Sequence, residues 1–233
     1  MGSSFGVISQ TGNNIQTEGL VFYVDAAYKK SYPRTGTTTF NIASGSLTPT
    51  GSLINDTGFV GLLTSSFTFD GSDDYINLGT ISSLNGGISA FSVSLWINYS
   101  GTLSADMLIS GGTSTTDDFY IQLTSATNLR YGSGSDYDDI TISSISAGTW
   151  YNIATVHIGT NVDVYLNGIL QGNATTQAPT SNLATNVILG DYLLTGTGYD
   201  YAGNIANSLI YNRALSASDV LQNYQAQKGR FGL

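Results

Sequence analysis

The stretch "WYNIATVHIGTNVDVYLNGILQG", residues 150–172, contains two strands, the start of a third and almost nothing else. Between Trp150 and Ile158 one face carries Trp150, Ala154, Val156 and Ile158, and the other Tyr151, Ile153, Thr155 and His157, the pattern of a strand packed on both sides. Beyond Gly159, Val162, Val164 and Leu166 alternate with Asp163 and Tyr165, which predicts one inward face and one wet face. Asn167-Gly168 tolerates the positive φ angles of a tight hairpin, so Ile169 and Leu170 begin the return strand.

The same grammar extends in both directions. "LVFYVDAA" (20–27) reads as a first strand, "SSFTFDGSDDYINLG" (65–79) as two short strands around an acidic turn, and "FSVSLWINYS" (91–100) alternates cleanly. Further strands are expected at 107–110, 118–124, 127–131, 140–144, 186–190 and 203–211, with Gly-, Ser- and Thr-rich loops between the first strand and residue 65. This spacing predicts an all-β, two-sheet antiparallel jelly-roll sandwich. One helix is expected near the end: in "SASDVLQNYQAQKG" Ser216 is the N-cap with Asp219 three residues on, Val220, Leu221 and Tyr224 share a stripe, and Gly229 stops it. The organisation expected is an N-terminal arm over 1–18 that orders only against a partner, a sandwich domain over 19–214, and a C-terminal helix and tail over 215–233.

Composition agrees with a single β-domain. The 233 residues include 28 glycines and only 10% charged residues, which suits short strands with many turns. There is no cysteine, so neither a disulfide framework nor a thiolate site is available. Residues 35–212 hold thirteen aspartates against the single Arg130, a net charge of −12. Such a body repels phosphate backbones, so nucleic acid is not an expected partner; solubility is the plain account of the acidity. The first residues show no basic start and no apolar run of signal-peptide length, and no stretch is long enough for a membrane span.

Catalysis has little to use. Glu18 is the only glutamate and lies in the arm, while glycoside hydrolysis needs two flanking carboxyl groups. The acids of "DYD" (136–138) alternate but sit in a Gly/Ser-rich stretch. His157, the only histidine, lies among strand formers and reads as structural. No nucleophile elbow, phosphate loop or histidine-rich metal motif is present, so no enzyme is expected. "DGSDDY" (70–75) and "GSGSDYDD" (132–139) admit a calcium-loop reading, but neither has EF-hand spacing and turn chemistry explains both.

Several segments together resemble the laminin-G-like, concanavalin-A-like jelly-roll superfamily, in particular its pentraxin-like branch: "FTFDGSDDYINLG", "FSVSLWI", "TWYNIATV", "VDVYLNG", "VILG" (187–190) and "GNIANSLIYNRALSASDV" from 203. The opening "GLVFYVDAAYKKSYP" and closing "NYQAQKGRFGL" are similar to variants in tailed-phage virion structural proteins. The resemblance implies a non-enzymatic virion protein, an outer-shell decoration or fibre-like component made in the host cytoplasm without a signal peptide. Its partners would be other virion proteins or a second copy; the alternative is an adhesin touching host surface glycans. By position, the family's calcium loops fall on Asp106 and Asp191, although its Glu-rich ligand run is missing after Asp191. Where the family carries an acidic and a basic residue before "YNRALS", this chain reads "IANSL".

Two residue groups complete the expectations. Tyr131, Tyr137, Tyr192, Tyr199 and Tyr201 lie in or beside Gly-rich loops, where their rings offer stacking surface to sugars or to protein. Lys29, Lys30, Arg34, Arg213, Lys228 and Arg230 place six of seven cations near the ends, and with Phe231 they are expected to form a basic docking patch.

Overall fold

The computed structural model describes residues 14–43, 49–61, 64–101, 103–114, 117–179, 182, 184–192 and 198–233. In chain order the strands are β1 (Leu20–Asp25), β2 (Thr38–Phe40), β3 (Pro49–Ile54), β4 (Gly58–Val60), β5 (Ser66–Asp70), β6 (Tyr75–Gly79), β7 (Ala90–Tyr99), β8 (Asp106–Ser114) and β9 (Asp117–Ser125). They continue as β10 (Asn128–Ser133), β11 (Asp136–Thr141), β12 (Tyr151–Ile158), β13 (Asn161–Leu166), β14 (Ile169–Thr175), β15 (Val187–Leu189) and β16 (Ala202–Tyr211). One helix follows, α1 (Ala217–Gln227), running into a 3-10 turn at Lys228–Phe231.

Two antiparallel sheets of eight strands form a sandwich. The first has the order β14-β13-β12-β7-β16-β5-β4, with β1 beside the far half of β16; the second runs β11-β10-β9-β8-β15-β6-β3-β2. The stretch 150–172 supplies three consecutive strands of the first sheet. Tyr151–Ile158 lies between β7 and β13 and is packed on both faces, and the chain reverses at Asn167 (φ 52°) and Gly168 (φ 78°). Both central residues of that turn need the left-handed region, which Asn and Gly enter at least cost.

Alternation decides which side chains meet. Phe91, Val93, Leu95 and Ile97 of β7 share the inter-sheet core with Phe119, Ile121 and Leu123 of β9 and Leu129 and Tyr131 of β10. The outer face of the first sheet is covered as well. Tyr23, Ala154, Val156, Tyr165, Leu209 and Tyr211 make a second core under α1, which contributes Val220. Tyr165, expected to face water, is therefore buried: the helix lies over the face that alternation alone marks as exposed. On α1 the buried residues are Val220 and Asn223, whereas Leu221 is exposed and leans over Gly168. The capping box of Ser216 and Asp219 is present in both directions.

Both ends of the described chain are held by the sandwich itself. Residues 14–18 dock on α1: Ile15 is buried, Gln16 N–H donates to Asn223 Oδ1 (2.7 Å), and Tyr211 Oη donates to the Gln16 carbonyl (3.0 Å). The start of the expected arm, residues 1–13, lies outside the described residues. At the other end Phe231 stacks on Trp96 with ring centroids 4.0 Å apart and meets Trp150 at 4.8 Å. Arg230 donates to both Asp25 oxygens (2.8 and 2.9 Å) and to the carbonyls of Thr64 (3.2 Å) and Ser65 (2.5 Å).

Several strands escaped the sequence reading. β2, β3 and β4 carry no sustained apolar alternation and lie inside a stretch read as loop, and β11 uses the acidic residues read as a turn. The turn is instead centred on Gly134 and Ser135, and β11 pairs with β10 through six residue pairs. Among the described residues no helix is long and apolar enough to cross a membrane.

Candidate functional site

The outer face of the second sheet carries an open groove of about 170 Å³. Strand alternation builds it. With Phe119, Ile121, Leu129 and Tyr131 turned into the core, Tyr120 and Gln122 of β9 and Arg130 of β10 must point outward. Tyr137 and Asp139 of β11 pair with Gly132 and Arg130 and share that face. Met107 of β8, opposite Gln122, forms part of the floor.

Gly132 is what lets the ring of Tyr120 lie flat. A Cβ at that position would sit 2.1–2.2 Å from Tyr120 ring atoms, so any other residue displaces the ring. From Tyr120 the aromatic surface continues to Tyr192 (5.6 Å between centroids) and from there edge-on to Tyr199 (5.8 Å, 86°). On the other side the Arg130 guanidinium lies 4.1 Å over the Tyr137 ring and pairs with Asp139 through two hydrogen bonds of 2.8 Å. Tyr137 is 53% exposed, which leaves the outer side of its ring to a ligand.

The polar groups are held in place. Buried Asp118 accepts a short hydrogen bond from Tyr192 Oη, and its carbonyl takes the Gly134 N–H (2.9 Å). Gln122 Nε2 donates to the Ala105 carbonyl (2.7 Å), and the Tyr199 carbonyl accepts the Met107 N–H (2.8 Å). Burial, countered by Arg130 and reinforced by Asp118, pushes the Tyr120 phenol up to about 12. Burial, then the Asp118 hydrogen bond, raises Tyr192 further. Both phenols are donors at neutral pH.

The five tyrosines singled out from sequence separate into two groups. Tyr137, Tyr192 and Tyr199 line the groove. Tyr131 and Tyr201 are fully buried: Tyr131 lies on the inward face of β10 with its Oη 2.9 Å from His157 Nδ1, and Tyr201 packs edge-on against Phe69. Position beside a Gly-rich loop did not reveal strand phase, which here points both rings inward. Tyr120, Asp118, Gln122 and Arg130 were missed, although the alternation of 118–124 already sets Tyr120 and Gln122 opposite the core residues. His157 is held by burial down at about 4 and is neutral in the core.

Asp106 and Asp191 are both buried at one end of the second sheet. Asp106 accepts the N–H groups of Ser104 (2.7 Å) and Ala202 (3.3 Å) on its two oxygens, and Asp191 Oδ1 accepts the Tyr192 N–H (2.5 Å). Burial raises both carboxyls, and the charge of Asp200 adds to this. Among the described residues these three acids are not gathered within 4.8 Å of one another as a metal-ligating group. Each carboxylate thus caps backbone N–H groups of neighbouring loops.

Part of the expected terminal basic group is engaged within the fold. Arg230 is spent on Asp25, Arg213 on Asp219 (3.0 Å) and the Glu18 carbonyl (2.9 Å), and Phe231 is buried. Lys29 and Arg34 are exposed, with Arg34 bonded to the Ala27 carbonyl, and Lys228 lies over Tyr224.

Two antiparallel sheets with an aromatic groove on one outer face define a jelly roll of the lectin-like class. Residues 70–221 match the family model of the Concanavalin A-like lectin/glucanases superfamily, and the chain belongs to that family. No curated protein matches the chain in sequence. Among solved structures it is similar to domain 4 of an extracellular arabinanase of Geobacillus stearothermophilus, in complex with arabinotriose (TM-score 0.63, 19% identity, 88% of this chain and 98% of that one). It is also similar to a sialidase of Trypanosoma rangeli (TM-score 0.70, 15% identity, 96% and 35%). A third similar structure is botulinum neurotoxin type C, whose cell entry depends on two ganglioside molecules (TM-score 0.67, 13% identity, 90% and 51%). The chain thus spans about a third of the sialidase and half of the toxin chain, and at these identities the likeness is one of fold.

Proposed function

We propose that this chain is a non-enzymatic carbohydrate-recognition module that binds a neutral oligosaccharide in the groove of Tyr120, Tyr137, Tyr192 and Tyr199. The carrying observation is the convergence of four tyrosine rings and Arg130 on one open groove. Sugar C–H faces stack on such rings, and the fixed polar groups orient the hydroxyls. The arabinotriose complex and the ganglioside-dependent toxin support this reading by analogy of fold. Preference for neutral sugars follows from charge: Arg130 is neutralised by Asp139, and residues 35–212 carry a net charge of −12.

The virion setting inferred from the two termini gives this module a place to act, as an adhesin or shell decoration made in the host cytoplasm. Recognition in this proposal rests on the protein's own groups; calcium at Asp106 and Asp191 would compete with the backbone N–H groups those carboxylates already hold.

A glycan array carrying neutral and sialylated oligosaccharides, followed by calorimetry on the hits, tests the proposal. Binding of neutral glycans is expected, with Tyr137→Ala and Tyr199→Ala each weakening it roughly tenfold at unchanged melting temperature. Absence of binding across the array, or hits unaffected by both variants, removes the groove as the site.

A further inference from the structure

At the end of the sandwich that also carries Asp191, the turn joining β5 to β6 brings three carboxylates together. Asp70 closes the β5 edge of the first sheet, Asp74 precedes the first residue of β6 in the second, and Asp73 lies between them. One carboxylate oxygen from each of Asp70, Asp73 and Asp74 lies within 4.8 Å of the other two. None of the four arginines reaches them, since Arg130, Arg213 and Arg230 pair with Asp139, Asp219 and Asp25, and Arg34 bonds the Ala27 carbonyl.

The second observation is an oxygen without a partner. Asp74 is only 3% exposed; its Oδ2 accepts the Asp70 N–H (2.9 Å), while Oδ1 is sealed from solvent with no hydrogen-bond partner. A buried carboxylate oxygen left unsatisfied beside two like charges is costly, and a bound cation removes both penalties. The turn is fixed by Ser72 N–H to Asp70 Oδ1 (2.8 Å) and Asn55 Nδ2 to the Asp73 carbonyl (2.6 Å).

We propose that Asp70, Asp73 and Asp74 bind a divalent cation of the calcium type, which ties the two sheets at this edge. Three carboxylates and no nitrogen or sulfur donor suit a hard cation, with water and carbonyl oxygens completing the shell. This site is independent of the carbohydrate reading and stands or falls without it.

The test is calorimetric titration of calcium chloride into the full chain in chelator-treated buffer, with the melting temperature followed in parallel. Binding with a dissociation constant at or below roughly 10⁻³ M is expected, with a rise in melting temperature in excess calcium. Asp73→Asn and Asp74→Asn should each weaken binding at least tenfold, and Asp106→Asn should leave it intact. Because Asp73 is exposed, Asp73→Asn decides the matter even if Asp74→Asn fails to fold. No heat up to about 10 mM calcium, a signal that survives Asp73→Asn, or one lost only in Asp106→Asn, overturns the proposal.

Discussion

Arg230→Ala is expected to destabilise the protein severely although it lies only three residues from Leu233. The substitution removes four hydrogen bonds: two to Asp25, at 2.8 and 2.9 Å, and one each to the carbonyls of Thr64 and Ser65. It leaves Asp25 nearly fully buried, still holding Tyr23 Oη and the Ala27 N–H but without a counter-charge. Removing one partner of a buried ion pair costs about 3–5 kcal/mol, a large part of the roughly 5–15 kcal/mol that stabilises a typical domain. For a chain of this length that corresponds to a drop of roughly 6–20 °C in melting temperature. Urea unfolding at neutral pH gives the free energy, and calorimetry the melting temperature. Asp25→Asn in the Arg230→Ala background should recover part of the loss, because the amide needs no counter-charge. A loss below about 1 kcal/mol would place the pair among surface ion pairs and refute the reasoning.

Other expectations follow from the core and the groove. Burial holds His157 down at about 4, whereas an unfolded imidazole titrates near 6.5, so between these values the unfolded chain binds the extra proton. This contribution to stability is complete above about pH 6.5 and is lost as the pH falls towards 4, by up to about 3 kcal/mol; His157→Gln should flatten that limb of the stability curve, and an unchanged slope would show that other groups cause it. Gly132→Ala forces the Tyr120 ring off the groove floor, so glycan affinity should fall roughly tenfold or more, with a stability loss of about 1–3 kcal/mol; a variant that binds like the wild type would mean the ring is not part of the site. Tyr131→Phe removes the hydroxyl facing His157 Nδ1 in the core and should cost about 1 kcal/mol in urea unfolding while sparing glycan binding. Lost binding in Tyr131→Phe would contradict the division between core and groove tyrosines.

The fold was readable wherever one period dominated. In 150–172 the alternation, the Asn-Gly turn and the strand lengths all agreed, and the three strands stand where that pattern puts them. What the pattern did not contain was the helix lying over the first sheet, which turned the expected wet face of Tyr165 into a second core. β2 to β4 were invisible because Pro49, Gly51 and Gly58 read as turn residues and no apolar alternation is long enough to mark a strand, with β2 and β4 at sheet edges. The groove was half visible. Tyr137, Tyr192 and Tyr199 were found by their loops, but Tyr131 and Tyr201 show that loop proximity says nothing about strand phase, and Tyr120 was hidden inside a regular strand. Arg230 was misread for a related reason: a charge near a chain end looks free in sequence, and Arg230 is closed inside an ion pair that only the tertiary fold creates.

Both described ends, Asn14 on α1 and Leu233 after the Phe231 stack, lie over the outer face of the first sheet, while the groove opens on the outer face of the second. The molecule therefore has polarity, with a side by which it can be tethered and an opposite side by which it can read. Many copies fixed to one surface through the C-terminal end would all turn their grooves outward in parallel. Weak single-site affinity would then be multiplied by simultaneous engagement of a dense glycan layer. The same polarity keeps a tag fused after Leu233 away from the groove when the protein is immobilised on a chip.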